Sequence, residues 1–198
     1  MSSRKRWHLI FLTMKERGTS KICSIFGAQA LPYVCPDFRR EAYCAILRSF
    51  EDRCCRTFYF GGNGEFEDLC HWFISEMKTA YADQLRIDRV FCVKAEDLLQ
   101  KQRRALMQKY DDVIYLPPTL DLQEKSSYLR DCAMIDASEC VIFCVEEKRN
   151  SSAYKAYKYA KSKGKSVVNL WEKYAPVLVP RDVAQRLLHP RSDAFTVN

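Results

Sequence analysis

Short runs of β-branched and aromatic residues alternate with helical patterns along most of this chain. Six runs have the length and composition of buried strands, at residues 21–26, 57–60, 86–93, 112–116, 139–145 and 166–170. Between them apolar residues recur every three or four positions, as in amphipathic helices, and Asp37 is expected to cap the first helix. Such alternation joins parallel strands through right-handed crossovers. The sequence therefore predicts an α/β, Rossmann-like three-layer sandwich whose mostly parallel sheet has about five to six strands.

The chain has 198 residues, of which 47% are hydrophobic and 29% charged, which is typical of one globular domain. No apolar run approaches the roughly 20 residues that cross a bilayer. A short apolar patch near the start lacks the small-residue cleavage site of a signal peptide. We expect an N-terminal extension at 1–20, a Rossmann-like domain at 21–170 and a C-terminal tail at 171–198. The expected protein is cytoplasmic, with no membrane partner.

Ten cysteines fall mainly within the predicted strands and helices. The sequence has no Cys-x-x-Cys pair, and its three histidines lie far apart. We therefore expect buried free thiols in a reducing compartment, with no metal site and no cofactor. Cys54 and Cys55 are adjacent, and the sequence assigns them no role.

The net charge of +7 is concentrated at the two ends of the chain. One interpretation of this excess is binding to nucleic acid. The other is a solvated helix face, because five lysines fall opposite the apolar stripe of one predicted helix: Lys155, Lys158, Lys161, Lys163 and Lys165. No basic motif interleaved with aromatic residues appears. The solvated face is therefore preferred, and single-stranded nucleic-acid binding stays an alternative.

Three glycines, Gly61, Gly62 and Gly64, follow the second predicted strand, and a helical pattern begins directly after them. A strand, a glycine turn and a helix N-terminus together let a backbone approach a ligand closely. In parallel sheets ligands lie beyond the carboxyl ends of the strands, where the strand order reverses. We expect this loop to share one crevice with the loops at residues 27–29, 117–120 and 146–153.

Glu65, Glu67 and Asp68 fall in the first turn of the helix after the glycines. Carboxylates there are stabilised by the helix dipole, which explains them as structural residues. Alternatively Glu67, with Glu65 assisting, acts as nucleophile or general base at a sugar carbon. In both cases the carboxylates repel a phosphate, since like charges this close interact strongly. A ribose whose hydroxyl groups donate to Glu67 is therefore expected at this turn.

A phosphate fits the start of the helix near residue 151 better. Ser151 and Ser152 offer hydroxyl and backbone donors there, and Lys148 and Arg149 stand just before them. The alternative explanation is that Ser151 only caps the helix and that the two basic residues lie in a solvated loop. Tyr154, near the same helix start, could stack on a base.

Four segments in this order and spacing resemble the SLOG superfamily, the Rossmann-like group named for the SMF/DprA and LOG proteins. The closest branch is the small YpsA-like bacterial proteins, and the resemblance covers roughly residues 21–170. The segments are Cys-Ser-Ile-Phe-Gly (23–27), Phe-Gly-Gly-Asn-Gly-Glu-Phe-Glu (60–67), Arg-Asp-Cys-Ala-Met-Ile-Asp-Ala-Ser-Glu-Cys-Val-Ile (130–142) and Ser-Ser-Ala-Tyr-Lys-Ala-Tyr-Lys-Tyr-Ala-Lys-Ser-Lys-Gly-Lys (151–165).

The resemblance implies a nucleotide-derived ligand and a homodimer. Enzymes of the superfamily cleave or exchange N-glycosidic bonds, while other members only bind single-stranded DNA or nucleotide signals. Together with the loop analysis, it gives these candidate ligand-binding residues: Gly27, Gln29, Gly61, Gly62, Asn63, Gly64, Arg130, Asp136, Ser151, Ser152 and Tyr154.

The chain departs from the branch at three places. Ala28 and Gln29 stand where His-Arg is usual, Ser151 and Ser152 where Gly-Gly is usual, and Lys158 where a glutamate is usual. These departures favour binding over turnover. The expected function is therefore a binder or sensor of a nucleotide-derived small molecule. N-glycosidic hydrolysis or transfer is the alternative.

Overall fold

The computed structural model describes residues 21–27, 30–31, 35–82, 85–117, 127–147 and 151–171, without the side chains of Glu96 and Asp97. The predicted extension and almost all of the predicted tail lie outside these residues. The strands are β1 (Lys21–Gly27), β2 (Cys55–Phe60), β3 (Asp88–Val93), β4 (Asp112–Tyr115), β5 (Cys140–Cys144) and β6 (Ser166–Asn169). The helices are α1 (Pro36–Glu51), α2 (Glu65–Ala80), α3 (Glu96–Leu106), α4 (Ser127–Ala137) and α5 (Ser152–Ser162).

The six strands form one sheet in the order β4-β3-β2-β1-β5-β6, and every neighbouring pair is parallel. This confirms the predicted α/β class. From β1 to β4 the chain adds strands in one direction, and it then returns to place β5 on the other side of β1. The strand order therefore reverses between β1 and β5, where Cys23 pairs with Cys140 and Gly27 with Cys144.

Alternate residues of the strands face two separate cores. Cys23 and Ile25 of β1 belong to the core under α1, α2 and α3, whereas Phe26 belongs to the core under α4 and α5. All five residues of β5 are buried, since helices cover both faces of this central strand. The result is a Rossmann-like sandwich of helices, sheet and helices.

The first helix starts two residues earlier than an Asp37 cap would allow, so that prediction was wrong. The N-cap is Cys35, whose sulfur accepts a hydrogen bond from the N–H of Phe38 at 3.3 Å. Pro36 follows as the first helical residue, a position where its missing N–H costs nothing. Asp37 lies in the first turn and pairs with Arg40.

Other element ends lie within a few residues of their predicted positions. The helix α3 ends at Leu106, and Tyr110 lies in the core, where it packs against Phe60 and Phe91. Gly164 follows α5 with a φ of +65°, the left-handed conformation that glycine commonly adopts after a helix. Among the described helices, none combines the length and the apolar character needed to cross a membrane.

Candidate functional site

The glycines that end β1 and β2 are packed against side chains of the protein itself. A Cβ atom at Gly27 would lie 2.4 Å from the Cβ of Phe66, at the start of α2. A Cβ atom at Gly61 would lie 2.7 Å from Nε of Arg130. Both separations are shorter than real Cβ contacts. The absence of a side chain at these positions is therefore explained by the approach of α2 and α4, with or without a ligand.

Glu67 is a deeply buried carboxylate at the carboxyl edge of the sheet, with 6% of its surface exposed. Asp131 is more deeply buried still. Oε2 of Glu67 accepts the N–H of Gly64 at 2.8 Å, which is one half of a capping box; the other half is missing because the N-cap Gly64 has no side chain. Both carboxylate oxygens lie 2.8 Å from where a Cβ at Gly62 would stand. Burial raises the pKa of Glu67 to about 7, against the opposing effects of the Gly64 N–H and of Arg130. Near neutral pH this group can therefore either accept or donate a proton.

The other two acidic residues of the same turn also have partners within the protein. Oε2 of Glu65 accepts the N–H of Leu31, in the segment that follows β1, at 2.9 Å. The carboxylate of Asp68 is exposed and pairs with Lys109. Each of the three acids thus has a structural contact within the protein.

Arg130 joins α4 to the glycine loop. Its Nη1 donates to the carbonyl oxygen of Gly61, and its Nε and Nη2 donate to Oδ1 of Asp131 at 3.0 and 2.6 Å. Asp131 is 3% exposed; burial raises its pKa, and Arg130 opposes that rise. The sequence analysis missed Asp131. Its signal was a carboxylate directly before the apolar run Cys-Ala-Met-Ile in a helix, where an acid needs a partner.

Asp136 is not brought to the glycine loop. It lies six residues after Arg130, which is about 9 Å further along the helix axis. Its carboxylate accepts the hydroxyl of Tyr159 at 3.0 Å, and its backbone carbonyl accepts from Lys165 near the start of β6. Asp136 therefore lies toward the amino edge of the sheet, away from the crevice.

The start of α5 has a side-chain cap, and it also has an exposed serine. Oγ of Ser151 accepts the N–H of Tyr154 at 3.2 Å, so Ser151 caps the helix. Ser152 is exposed, and the first turn contains no acidic residue. The half-buried Tyr154 ring stacks on Tyr157, with Lys158 5.0 Å from its centre. These contacts already occupy part of the ring on which a base was predicted to stack.

The structure says less about two further candidate ligand-binding residues, Asn63 and Gln29. Asn63 is exposed in the glycine loop, and Gln29 lies outside the described residues, as do Lys148 and Arg149.

Four of the five lysines associated with α5 are exposed, as the interpretation as a solvated face expects. Three of them lie over tyrosine rings of the same helix, including Lys161 at 4.4 Å from the centre of Tyr157. The fifth, Lys165, is half-buried and donates to the backbone carbonyls of Asp136 and Ser138. Lys165 therefore has a structural contact between α4 and β6.

Within the described part of the chain, no group of three or more His, Cys, Asp or Glu residues is arranged to hold a metal ion. Comparison with protein-family models gives no match to this chain, and comparison with curated proteins gives none either. The resemblance to the SLOG superfamily therefore stays a prediction from the four sequence segments.

Proposed function

We propose that this protein binds a nucleotide-derived small molecule in the crevice beyond the carboxyl ends of β1 and β5. The observation that carries this proposal is the reversal of strand order between these two strands. The connections that leave them run to opposite faces of the sheet, α1 on one side and α5 on the other. A parallel sheet opens a ligand crevice at such a point.

The two helix N-termini beside this crevice differ in charge, which supports a direction for the ligand. The first turn of α2 has three carboxylates, and that of α5 has none. A phosphate is therefore disfavoured at α2 and accommodated by the donors near Ser152. A ribose is accommodated near Glu67, because hydroxyl groups can donate to a carboxylate.

Binding without turnover is the function supported best, since every acid in the first turn of α2 has a structural partner. One observation favours the alternative, an N-glycosidic hydrolase or transferase. The pKa of Glu67 is raised to about 7, which suits a general acid or base at neutral pH. Glu67 is the residue that would act in that reaction.

The proposal is tested by a thermal-shift screen of the full chain against nucleosides, mono- and dinucleotides, ADP-ribose and cyclic nucleotides. Each compound that raises the melting temperature is then titrated by calorimetry and analysed by mass for cleavage. A shift without breakdown supports a binder. Release of a free base that disappears in Glu67→Gln supports the enzyme, and no shift with any compound overturns the crevice proposal.

A pair of charge substitutions on α5 tests the position of the phosphate. Ser152→Asp places a carboxylate at the exposed helix start and should weaken a phosphate-bearing ligand about tenfold or more. Ser162→Asp makes the same change at the other end of the helix, about 15 Å away, and should leave the affinity unchanged. Equal weakening by both variants would contradict a phosphate at the start of α5.

A further inference from the structure

A cavity of about 400 Å³ opens at the amino edge of the sheet, opposite to the proposed crevice. It lies between the second half of α1 and the first residues of β1, β5 and β6. Its lining includes Arg48, Ser49, Arg53, Glu139 and Cys140. This cavity takes no part in the proposed nucleotide binding, and its chemistry can be considered independently.

Three thiols meet at the inner wall of this cavity. Sγ of Cys140 lies 3.7 Å from Sγ of Cys55, and Cys23 is the register partner of Cys140 on the adjacent strand. All three side chains face the core under α1. Cys23 and Cys55 are buried inside the protein, while Cys140 also lines the cavity. A small molecule in the cavity therefore meets the thiol of Cys140 first.

The surroundings of Cys140 favour its thiolate. Hydrogen bonds from the thiols of Cys23 and then Cys55 lower the pKa of Cys140, and Arg53 lowers it further. Burial and the carboxylate of Glu139 oppose this effect. The pKa of Cys23 and of Cys55 is raised in turn, mainly by their hydrogen bonds to Cys140. Of the three, Cys140 is the thiol that ionises first.

Most of the charged groups around the cavity are paired. Lys21 is paired with Glu139 at 3.1 Å, and Arg48 is paired with Glu41 at 3.8 Å. The remaining charged side chains in the lining are one cation and one anion, Arg53 and Asp52. The cavity therefore favours neither anionic nor cationic ligands.

We infer that Cys140 is a site of thiol–disulfide exchange that takes disulfides small enough to enter the cavity. The Cys140 thiolate attacks one sulfur of the small disulfide, a new S–S bond forms, and the original S–S bond breaks. The other half leaves as a thiolate and takes a proton from water. The product is a mixed disulfide in the cavity.

A disulfide between Cys55 and Cys140 is disfavoured by the sheet itself. The two residues lie on strands separated by β1, which places their Cα atoms roughly 9 Å apart. A disulfide joins residues whose Cα atoms are no more than about 7 Å apart. For this pair an external disulfide is therefore the better partner.

The experiment treats the fully reduced chain with oxidised glutathione or with cystamine. Peptide mass mapping follows the mixed disulfide at each cysteine with time. We expect Cys140 to react about fivefold or more faster than the half-buried Cys35 and Cys44 with either disulfide, because its thiolate is favoured. Faster reaction of Cys35 and Cys44 than of Cys140 would overturn the inference.

Two substitutions separate the thiol cluster from simple accessibility. Cys55→Ala removes one hydrogen-bond donor to Cys140 and should slow its reaction severalfold. Cys92→Ala removes a buried thiol that faces the other core and should leave the rate unchanged. Equal rates in all three proteins, or a loss of two hydrogens without an adduct, would each refute the inference. The wild-type measurements stand even if a variant fails to fold.

Discussion

Replacing Glu67 with Gln should flatten the pH dependence of the free energy of unfolding. Glu67 is buried and accepts the Gly64 N–H, so its charged form is poorly solvated in the folded protein. Gln has nearly the same size, is neutral at every pH, and can accept the same N–H in a capping box. The substitution therefore removes the titration and keeps the contact.

The magnitude follows from the pKa of Glu67. It rises from 4.5 in the unfolded chain to about 7 in the folded protein, and each tenfold change in proton affinity is worth about 1.4 kcal/mol. Because the folded pKa is the higher one, the folded protein binds the proton more tightly. Stability is therefore complete below pH 4.5 and is lost as the pH rises through 7, by about 3 kcal/mol in total.

The measurement is urea unfolding of the parent and of Glu67→Gln at pH 5 and pH 8. Other buried groups titrate in this range, so the quantity compared is the difference between variant and parent. We expect this difference to shift by about 2 to 3 kcal/mol in favour of the variant at pH 8. Glu76→Gln, an exposed position on the same helix, is the matched control. A difference that is the same at both pH values would refute the buried, protonated Glu67.

Two further substitutions test the supports of the site and of the sheet. Gly27→Ala should lower the free energy of unfolding by about 1–3 kcal/mol or more, because the new Cβ would overlap the rigid Cβ of Phe66. Gly164→Ala is the control, since this position has open space and only an unfavourable φ, and it should cost about 1 kcal/mol. Equal losses in the two variants would contradict the Gly27–Phe66 contact. Asp111→Asn should lower the free energy of unfolding by about 2–4 kcal/mol at pH 7, since the backbone N–H and two side-chain N–H groups of Arg89 donate hydrogen bonds to the carboxylate. Burial alone would raise the pKa of Asp111, but its hydrogen bonds outweigh burial and lower the pKa. The stability lost in Asp111→Asn should therefore become smaller below about pH 4 in urea titrations. A loss that does not change with pH would count against the ion pair.

The class of fold could be predicted because the central strands are buried on both faces. A run such as residues 140–144 consists of β-branched, aromatic and thiol residues alone, and the parallel sheet covers both of its faces. The strand order could not be predicted in the same way, because no local sequence pattern indicates that the chain crosses back over β1 after β4. The cap of α1 was missed for a similar reason: a cysteine caps helices rarely, whereas Pro36 at the first helical position was a usable signal.

The candidate site could be predicted only where its residues are neighbours in the chain. The glycine turn and the acids of α2 lie within one short stretch, so their proximity follows from the sequence. The contact between Arg130 and Gly61 joins positions 69 residues apart, and the thiol cluster joins three strands. Such pairs depend on the register of the sheet and on helix placement. Arg130 could be predicted as a site residue from a motif, but the backbone group to which its side chain donates could not.

The difference in charge between the two edges of the sheet follows from its parallel topology. Every helix that returns from a parallel strand starts at the carboxyl edge and ends at the amino edge. Helix dipoles favour acids at the starts, such as Glu67, and bases at the ends, such as Arg48 of α1 and Lys78 of α2. The first turns of α4 and α5 lack acids, and α5 is the one of these two helices that leaves β5 at the reversal of strand order, which supports the proposed phosphate position there. By the same topology Cys140, which begins β5, lies at the amino edge, where the helices end and where acids pair with the basic side chains Lys21 and Arg48.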